Sequence, residues 1–298
     1  MSKIVIIGSS NVDLTVRTAH IPSKGETILG GDMKMAFGGK GANQAVAVSR
    51  LGGDVSFITK VGMDSYGNMM AENLVKEGMA AETVIRDPAA PSGVAWICVD
   101  DNGDNSIIVM PGANCTMTKE DMAPYISIIK EADYLLMQLE TPLDVVEYAA
   151  SIAYESGVKV VLNPAPAQPL SDDLLSKIDL LTPNEMECSY LCGDKATDDV
   201  LANAEILRSK GVENVIVTLG ENGSLLCSSN LQQIVPAEKV EAVDTVAAGD
   251  TYNGALCVAL SEGQTMLEAM KFATKASAIA VTRFGAQPSV PYREEINQ

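Results

Sequence analysis

The stretch DTVAAGDTYNGA, residues 244–255, puts an acid at the start of a helical pattern. Only Ala247, Ala248 and Gly249 stand directly before Asp250, and Tyr252, Ala255, Leu256, Val258, Ala259 and Leu260 continue a helical run that ends near Gly263. The first N–H groups of a helix have no intrahelical partner and carry partial positive charge. With no bulky side chain in front, those groups can approach a transferring phosphoryl group, while Asp250 accepts the proton of an oxygen nucleophile. Taken alone, Asp250 is better explained as an ordinary acid that stabilises the helix dipole. AAGD between an extended segment and a small-residue helix is a more specific pattern.

A second constellation is FGGKGANQA, residues 37–45. Paired glycines allow close backbone approaches, and Lys40 and Asn43 supply donors for a polyol; the plainer reading is a tight strand-to-helix turn with Lys40 in solvent. It is not a P-loop, because Gly41 stands where Ser or Thr is needed, and Gln44 breaks the dinucleotide fingerprint. Asn11 and Asp13, placed at the end of the first strand, and Glu140, ending the strand YLLMQLE, add further polar groups at strand ends, where doubly wound folds bind ligands. In LTPNEMEC, Thr182 as N-cap, Pro183 and Glu185 read as a capping box. That leaves Asn184 and Glu187 three apart on one helical face, suited to serving a Mg²⁺–phosphate assembly through water. Thr265 and Glu268 read as another capping box.

These residues need a frame that brings 11, 40, 140 and 250 together. KIVIIGSSNVDLTV predicts two strands about a polar turn, ETILGGDMKMAFGG a strand, GANQAVAVSRLGG a helix, and SGVAWICVDDNGDNSIIVMPG a hairpin about an Asp/Asn/Gly turn. The β segments around 12–37 and 92–110 therefore suggest a small separate sheet. From about 118, ADYLLMQLE, LDVVEYAASIAYESG, VKVVLNP, IDLLTPNE, DDVLANAEILRSKG and NVIVTLG alternate strand and helix. SLLCSS and the stretch before Asp244 add further strands, and helices follow near 250 and 265. The alternation predicts a parallel sheet with helices on both faces in an α/β fold.

A chain of 298 residues, 47% hydrophobic, can hold one large α/β domain with an appendage. The net charge of −18 excludes nucleic acid as a partner but not a nucleotide, whose phosphates a helix N-terminus and a bound cation can offset. One histidine, His20 in a turn-like stretch, excludes a His-rich zinc site. Six cysteines without a CxxC pair read as reduced thiols. No apolar run spans a bilayer and the N-terminus lacks a signal pattern, so no membrane partner and a soluble, cytoplasmic protein are expected.

Together GGKGANQA, MQLE, LNPAPA, TPNE, VTLG, DTVAAGDTYNGA and AVTRFGAQPSVP resemble the PfkB family of sugar kinases, from Lys3 to Ile296. GGKGAN, MQLE and NPAPA point more particularly to its ribose-phosphorylating members. The resemblance implies a Rossmann-like three-layer α/β/α domain over the whole chain, with a small β-sheet lid that usually clasps a second subunit's lid in a homodimer. It implies binding of D-ribose or a similar pentose by Asn11, Val12, Asp13, Gly39, Lys40, Gly41, Ala42, Asn43 and Glu140. Asp250 would be the base, beside an anion hole from the backbone of Ala247, Ala248 and Gly249. ATP would lie along Thr218, Leu219, Gly220, Glu221, Asn222 and Gly223, with Thr274 bordering adenine and Asn184 and Glu187 serving Mg²⁺ and phosphate. A K⁺ activator would be held by Asp244, Val246, Ala280, Arg283, Gly285 and Ser289, several through carbonyls. The chain departs from the family's usual pattern at Glu221, often basic or small in relatives, and at Tyr252, usually Phe. Two alternatives remain open: a family member acting on another sugar or a nucleoside, and a non-catalytic sugar- or nucleotide-binding regulator.

Overall fold

Runs such as KIVII and KVVL are too short for helices but long enough for strands buried on both faces, and the computed structural model, which describes residues 2–296, folds them that way. Its strands are β1 (Lys3–Ile7), β2 (Asn11–Arg17), β3 (Met33–Gly38), β4 (Asp54–Gly62), β5 (Val84–Asp87), β6 (Gly93–Val99), β7 (Asn105–Met110), β8 (Tyr134–Met137), β9 (Lys159–Leu162), β10 (Leu180–Leu181), β11 (Asn214–Thr218), β12 (Ser224–Cys227) and β13 (Gln232–Val235). Nine of them form one sheet in the order β13-β12-β11-β10-β9-β8-β1-β4-β5, and the other four form a second sheet, β3-β2-β6-β7. The helices are α1 (Lys40–Arg50), α2 (Ser65–Lys76), α3 (Lys119–Met122), α4 (Ile126–Lys130), α5 (Leu143–Glu155), α6 (Asp172–Leu175), α7 (Glu185–Cys192), α8 (Val200–Ser209), α9 (Ala248–Ser261), α10 (Met266–Ala280) and α11 (Arg293–Ile296).

The large sheet separates two cores, and alternation along β1 shows how. Ile4 and Ile6 join Val46 of α1, Leu256 of α9 and Ala276 of α10 on one face. Val5 and Ile7 join Val146 of α5, Cys188 of α7 and Leu207 of α8 on the other. Successive side chains of a strand point to opposite faces, so a five-residue strand anchors both layers. Truncating Ile6, fully buried, to Ala would cost about 2–5 kcal/mol. The small residues of α9 have a packing reason too. A Cβ on Gly254 would lie 2.6 Å from the Ala47 Cβ of α1, so glycine lets the two site-bearing helices cross closely.

Four expectations about the elements need correction. The main sheet is mixed, because β11–β12 and β12–β13 pair antiparallel at one edge; tight connections there leave no helix to cross over. Of 26–39 only β3 is strand, since the Gly30–Gly31 pair precedes its first ladder partner, Met33 opposite Val16. Between β13 and Asp244 no strand forms; its exposed residues have no sheet to join. Asn11 and Asp13 belong to the start of β2, not the end of the first strand, and Glu140 lies beyond β8, which ends at Met137.

Candidate active site

The large sheet's strands deliver their polar residues at their carboxyl ends. Met137, Leu162 and Leu181 are in register across β8, β9 and β10, so the next residues, Gln138, Asn163 and Thr182, stand side by side at the sheet's edge. Above that edge lies a cleft of about 220 Å³, whose lining includes Lys40, Asn163, Asn184, Glu187, Thr218 and the run Ala247–Asp250.

Asp250 sits in the first turn of α9 and is 5% exposed. Its two carboxylate oxygens each accept an amide hydrogen bond, from Asn43 Nδ2 at 2.9 Å and from Gln44 Nε2 at 3.0 Å. The helix start in front of it has no side-chain cap, and Ala247 reaches it in the left-handed region, φ 59°, the one non-glycine residue with positive φ among the described residues. Holding an L-residue there costs about 1–2 kcal/mol. The N–H of Gly249, in the first turn, has no intrahelical acceptor. That of Ala248 donates to the Thr245 carbonyl at 3.2 Å, so it is not free for an anion in this conformation. A Cβ added at Gly249 would meet nothing within 4 Å. No neighbouring atom requires glycine there; the space beyond it is the cleft.

The GGKGAN turn places the next group. Gly39 precedes α1 with φ 87°, and a Cβ there would lie 2.9 Å from Ser10 Cα, so only glycine makes this turn. The turn aims Lys40 into the cleft rather than into solvent, the one cation among its lining residues. Burial works against the Lys40 charge, but Asp250, Glu140 and Glu187 outweigh it and hold the ammonium above its usual range. Glu140 accepts from the Lys40 backbone N–H at 3.0 Å and from the Ser9 hydroxyl. Beside them, burial first, then Glu140 and Asp250, push the Asp13 carboxyl up to about 7. Asn43 leaves its Oδ1 buried without a partner, an acceptor free for a ligand hydroxyl. Val12, Gly41 and Ala42 are buried behind these groups.

On the far side of the cleft, the helix start differs from the Thr182 capping box. Asn184 caps α7, accepting from Glu187 N at 2.8 Å while Glu187 Oε2 accepts from Asn184 N at 2.8 Å. The helix begins two residues later because Pro183 and Asn184 stay extended alongside β11, Pro183 O accepting from Thr218 N and Asn184 bridging to Thr218. Thr182 instead donates to Asn253 Oδ1 at 2.6 Å. Burial raises the Glu187 carboxyl, against the bond from Asn184 and the nearby Lys40. No group of three His, Cys, Asp or Glu gathers as a metal cluster among the described residues. Asn184 and Glu187 are oxygen donors on a cleft wall, which fits a Mg²⁺ ion completed by phosphate and water. Thr265 and Glu268 do form the expected capping box on α10.

Of the nucleotide residues, Thr218 lines the cleft, while Leu219, Gly220, Glu221, Asn222 and Gly223 form the turn into β12 outside that lining; Glu221 is exposed. Thr274 is buried in α10 and donates to its own helix at Met270 O, away from the cleft lining. Tyr252 finds the hydroxyl partner it needs in Ser224 Oγ, at 2.9 Å. Below the helix start, Asp244 joins two loops, accepting from Val246 N at 3.0 Å and Gly285 N at 2.9 Å. The Arg283 guanidinium pairs with Glu295 and the Ser289 hydroxyl donates to Ala286 O, leaving backbone carbonyls as the donors those residues and Ala280 can offer. Neither 245–249 nor 281–290 carries another acid, and one carboxylate among carbonyls fits a monovalent ion better than Mg²⁺.

Sequence reasoning passed over Gln44, Gln138, Asn163 and Asn253. The available signal was a polar residue immediately behind an apolar strand run, as in YLLMQ and KVVLN. The remaining cysteines and histidine have no part in the site: the six thiols are free, and His20 pairs with Glu26 at 2.8 Å.

Residues 1–293 match the pfkB family of carbohydrate kinases. A ribokinase of Haemophilus influenzae is 43% identical over 294 residues, covering 98% of this chain and 96% of that protein. The crystal structure of a ribokinase from Thermotoga maritima superposes with a TM-score of 0.94 at 42% identity, covering 100% of this chain and 98% of that one. An Arabidopsis thaliana ribokinase complexed with ribose and ATP superposes with a TM-score of 0.90 at 33% identity, covering 99% and 97% of the two chains.

Proposed function

Since the chain belongs to the pfkB family of carbohydrate kinases, we propose that it is an ATP-dependent kinase of D-ribose that forms ribose 5-phosphate and ADP. The observation that carries this reading is Asp250: a buried carboxylate, gripped by two amides, in the first turn of an uncapped helix facing a cleft.

Ribose would lie between the two sheets, its hydroxyls on Asp13, Lys40, Asn43 and Glu140 with Asn11, Gly39 and Gly41 shaping the floor. Asp250 takes the proton of the 5-hydroxyl as the oxygen attacks the γ-phosphorus and the bond to the ADP oxygen breaks. Lys40 and the N–H groups at the start of α9 stabilise the charge on the transferring group. Mg²⁺, when bound, would supply charge neutralisation on the phosphates, and Asn184 and Glu187 would hold it through its waters. A K⁺ ion at Asp244 would brace the 244–249 segment.

The four-stranded sheet acts as the lid in this account, excluding water so that the sugar rather than solvent receives the phosphoryl group. Met33, Met35, Trp96, Ile107 and Ile108 expose large apolar surface on it, which a second copy's lid would cover in a homodimer. With ATP and free sugar as substrates, the cytoplasm is the compartment proposed; no helix of the described residues is long and apolar enough to cross a membrane.

The test is ADP release against a panel of ribose, 2-deoxyribose, hexoses and nucleosides. Ribose should lead 2-deoxyribose by roughly 10–100-fold in kcat/KM, because a missing hydroxyl leaves buried polar groups unpaired. Equal or better use of deoxyribose would remove ribose as the assigned substrate. Sugar binding with no turnover would favour the regulator.

A further inference from the structure

Resting on that catalytic reading, we infer that Gln44 is the positioning residue that presents Asp250 to the sugar hydroxyl as an oriented carboxylate. Gln44 is fully buried on α1, and its amide is held on three sides. Its Nε2 donates both to Asp250 Oδ1 at 3.0 Å and to Asn163 Oδ1 at 3.1 Å. Its Oε1 accepts from Gln138 Nε2 at 2.6 Å.

The direction of this chain is fixed at its far end. Asn163 Nδ2 donates to the Thr182 carbonyl at 3.0 Å, and a carbonyl can only accept, so Asn163 must turn its oxygen to Gln44. Gln44 must then show its NH₂ to both Asn163 and Asp250. Flipping it would set its oxygen against Asn163 Oδ1 and Asp250 Oδ1 and leave buried acceptors facing one another. Gln138 and Asn163 stand one residue past paired strand ends, so the register of β8, β9 and β10 is transmitted through three amides to one carboxylate oxygen. Asn43 holds the other oxygen. Thr182 extends the same edge to α9, through Asn253 Oδ1 at 2.6 Å and Asn253 Nδ2 to Gly249 O at 2.9 Å.

A donor to the charged form of a carboxylate favours that form over the protonated one. The charged groups near Asp250 come from four elements: Lys40 on α1, Asp13 on β2, Glu140 after β8 and Glu187 on α7. None of them touches Gln44 by hydrogen bond, so replacing it changes the base's alignment and proton affinity while leaving the sugar-binding groups in place.

The experiment compares wild type, Gln44→Met and Gln138→Met in steady-state turnover of ribose and ATP from pH 5 to 9, with thermal melts to verify folding. Gln44→Met removes the donor at nearly constant volume. It should lower kcat roughly 10–100-fold with KM for ribose little changed, the range expected for losing a hydrogen bond to a charged group. The acid limb of the kcat profile should move to higher pH by about one unit, because the carboxylate loses stabilisation of its charged form. Gln138→Met, which removes the donor to Gln44 Oε1 and loosens the amide without touching Asp250, should move the limb in the same direction by less, and it carries the test where Gln44→Met does not fold. An unmoved acid limb in the folded variants, or a loss confined to KM, would overturn the inference. Absence of wild-type turnover with ribose would instead overturn the assigned activity.

Discussion

The carboxyl of Asp13 stands at about 7 in the folded protein, against an ordinary value of 3.8, because burial and the neighbouring Glu140 and Asp250 oppose its charge. The folded state therefore holds this proton more tightly than the unfolded chain does. Below pH 4 both states are protonated and the group contributes nothing. Between pH 4 and 7 the unfolded chain gives up its proton while the folded protein keeps it. Stability then falls by about 1.4 kcal/mol per pH unit, and the loss levels off above 7. From pH 5 to pH 8 the total is roughly 2–3 kcal/mol. Asp13→Asn removes the ionisation while keeping the shape, so the ligand-free variant should resist heat better than wild type, and increasingly so as pH rises. An unfolding entropy of roughly 2 cal/mol/K per residue converts that range into a melting-temperature gap that widens by about 3–5 °C between pH 5 and pH 8. Circular dichroism melts of both proteins at pH 5, 6, 7 and 8 measure the gap directly, and other titrations largely cancel in the difference. The same substitution should raise KM for ribose, since an amide offers one acceptor oxygen where the carboxylate offers two. A gap that stays constant across this range would refute the argument that Asp13 is held against ionisation.

Three further outcomes follow from the site. Asp250→Asn should cut kcat by about 10²–10⁴, the usual worth of a positioned acid or base, while ribose binding by calorimetry persists; retention of most of kcat would mean another base. Gly249→Ala should leave the stability unchanged or raise it by as much as about 1 kcal/mol through helix propensity, because its Cβ meets no protein atom, yet turnover should fall if the phosphoryl group occupies that space; full activity would place the phosphates elsewhere. At fixed ionic strength K⁺ should support faster turnover than Na⁺ or a bulky organic cation, and Asp244→Ala should erase the difference; equal rates with all three ions would remove the monovalent site.

Much of this site was legible because it sits where apolar patterns stop. Asp250, Lys40 and Glu140 each follow a strand or turn signal, and all three lie within the same region of the fold. What escaped the sequence depends on distance along the chain. Gln44 meets Gln138 and Asn163, 94 and 119 residues away, and only the register of β8 with β9 decides that they touch. Thr182 failed as a cap because TPNE offers two overlapping cap patterns, and pairing with β11 selected the later one. Lys40 read as plausibly solvated, since nothing local tells that three carboxylates lie around it. The antiparallel edge β11–β13 escaped because short apolar runs look alike whichever way they pair.

The most direct measurement is to incubate the purified protein with D-ribose and Mg-ATP in potassium buffer and follow the sugar phosphate by phosphorus NMR. One new phosphomonoester at the 5-position should form in step with ADP and be absent with Asp250→Asn. ADP formation that ignores ribose, or a phosphate placed on another hydroxyl, would contradict the proposed activity.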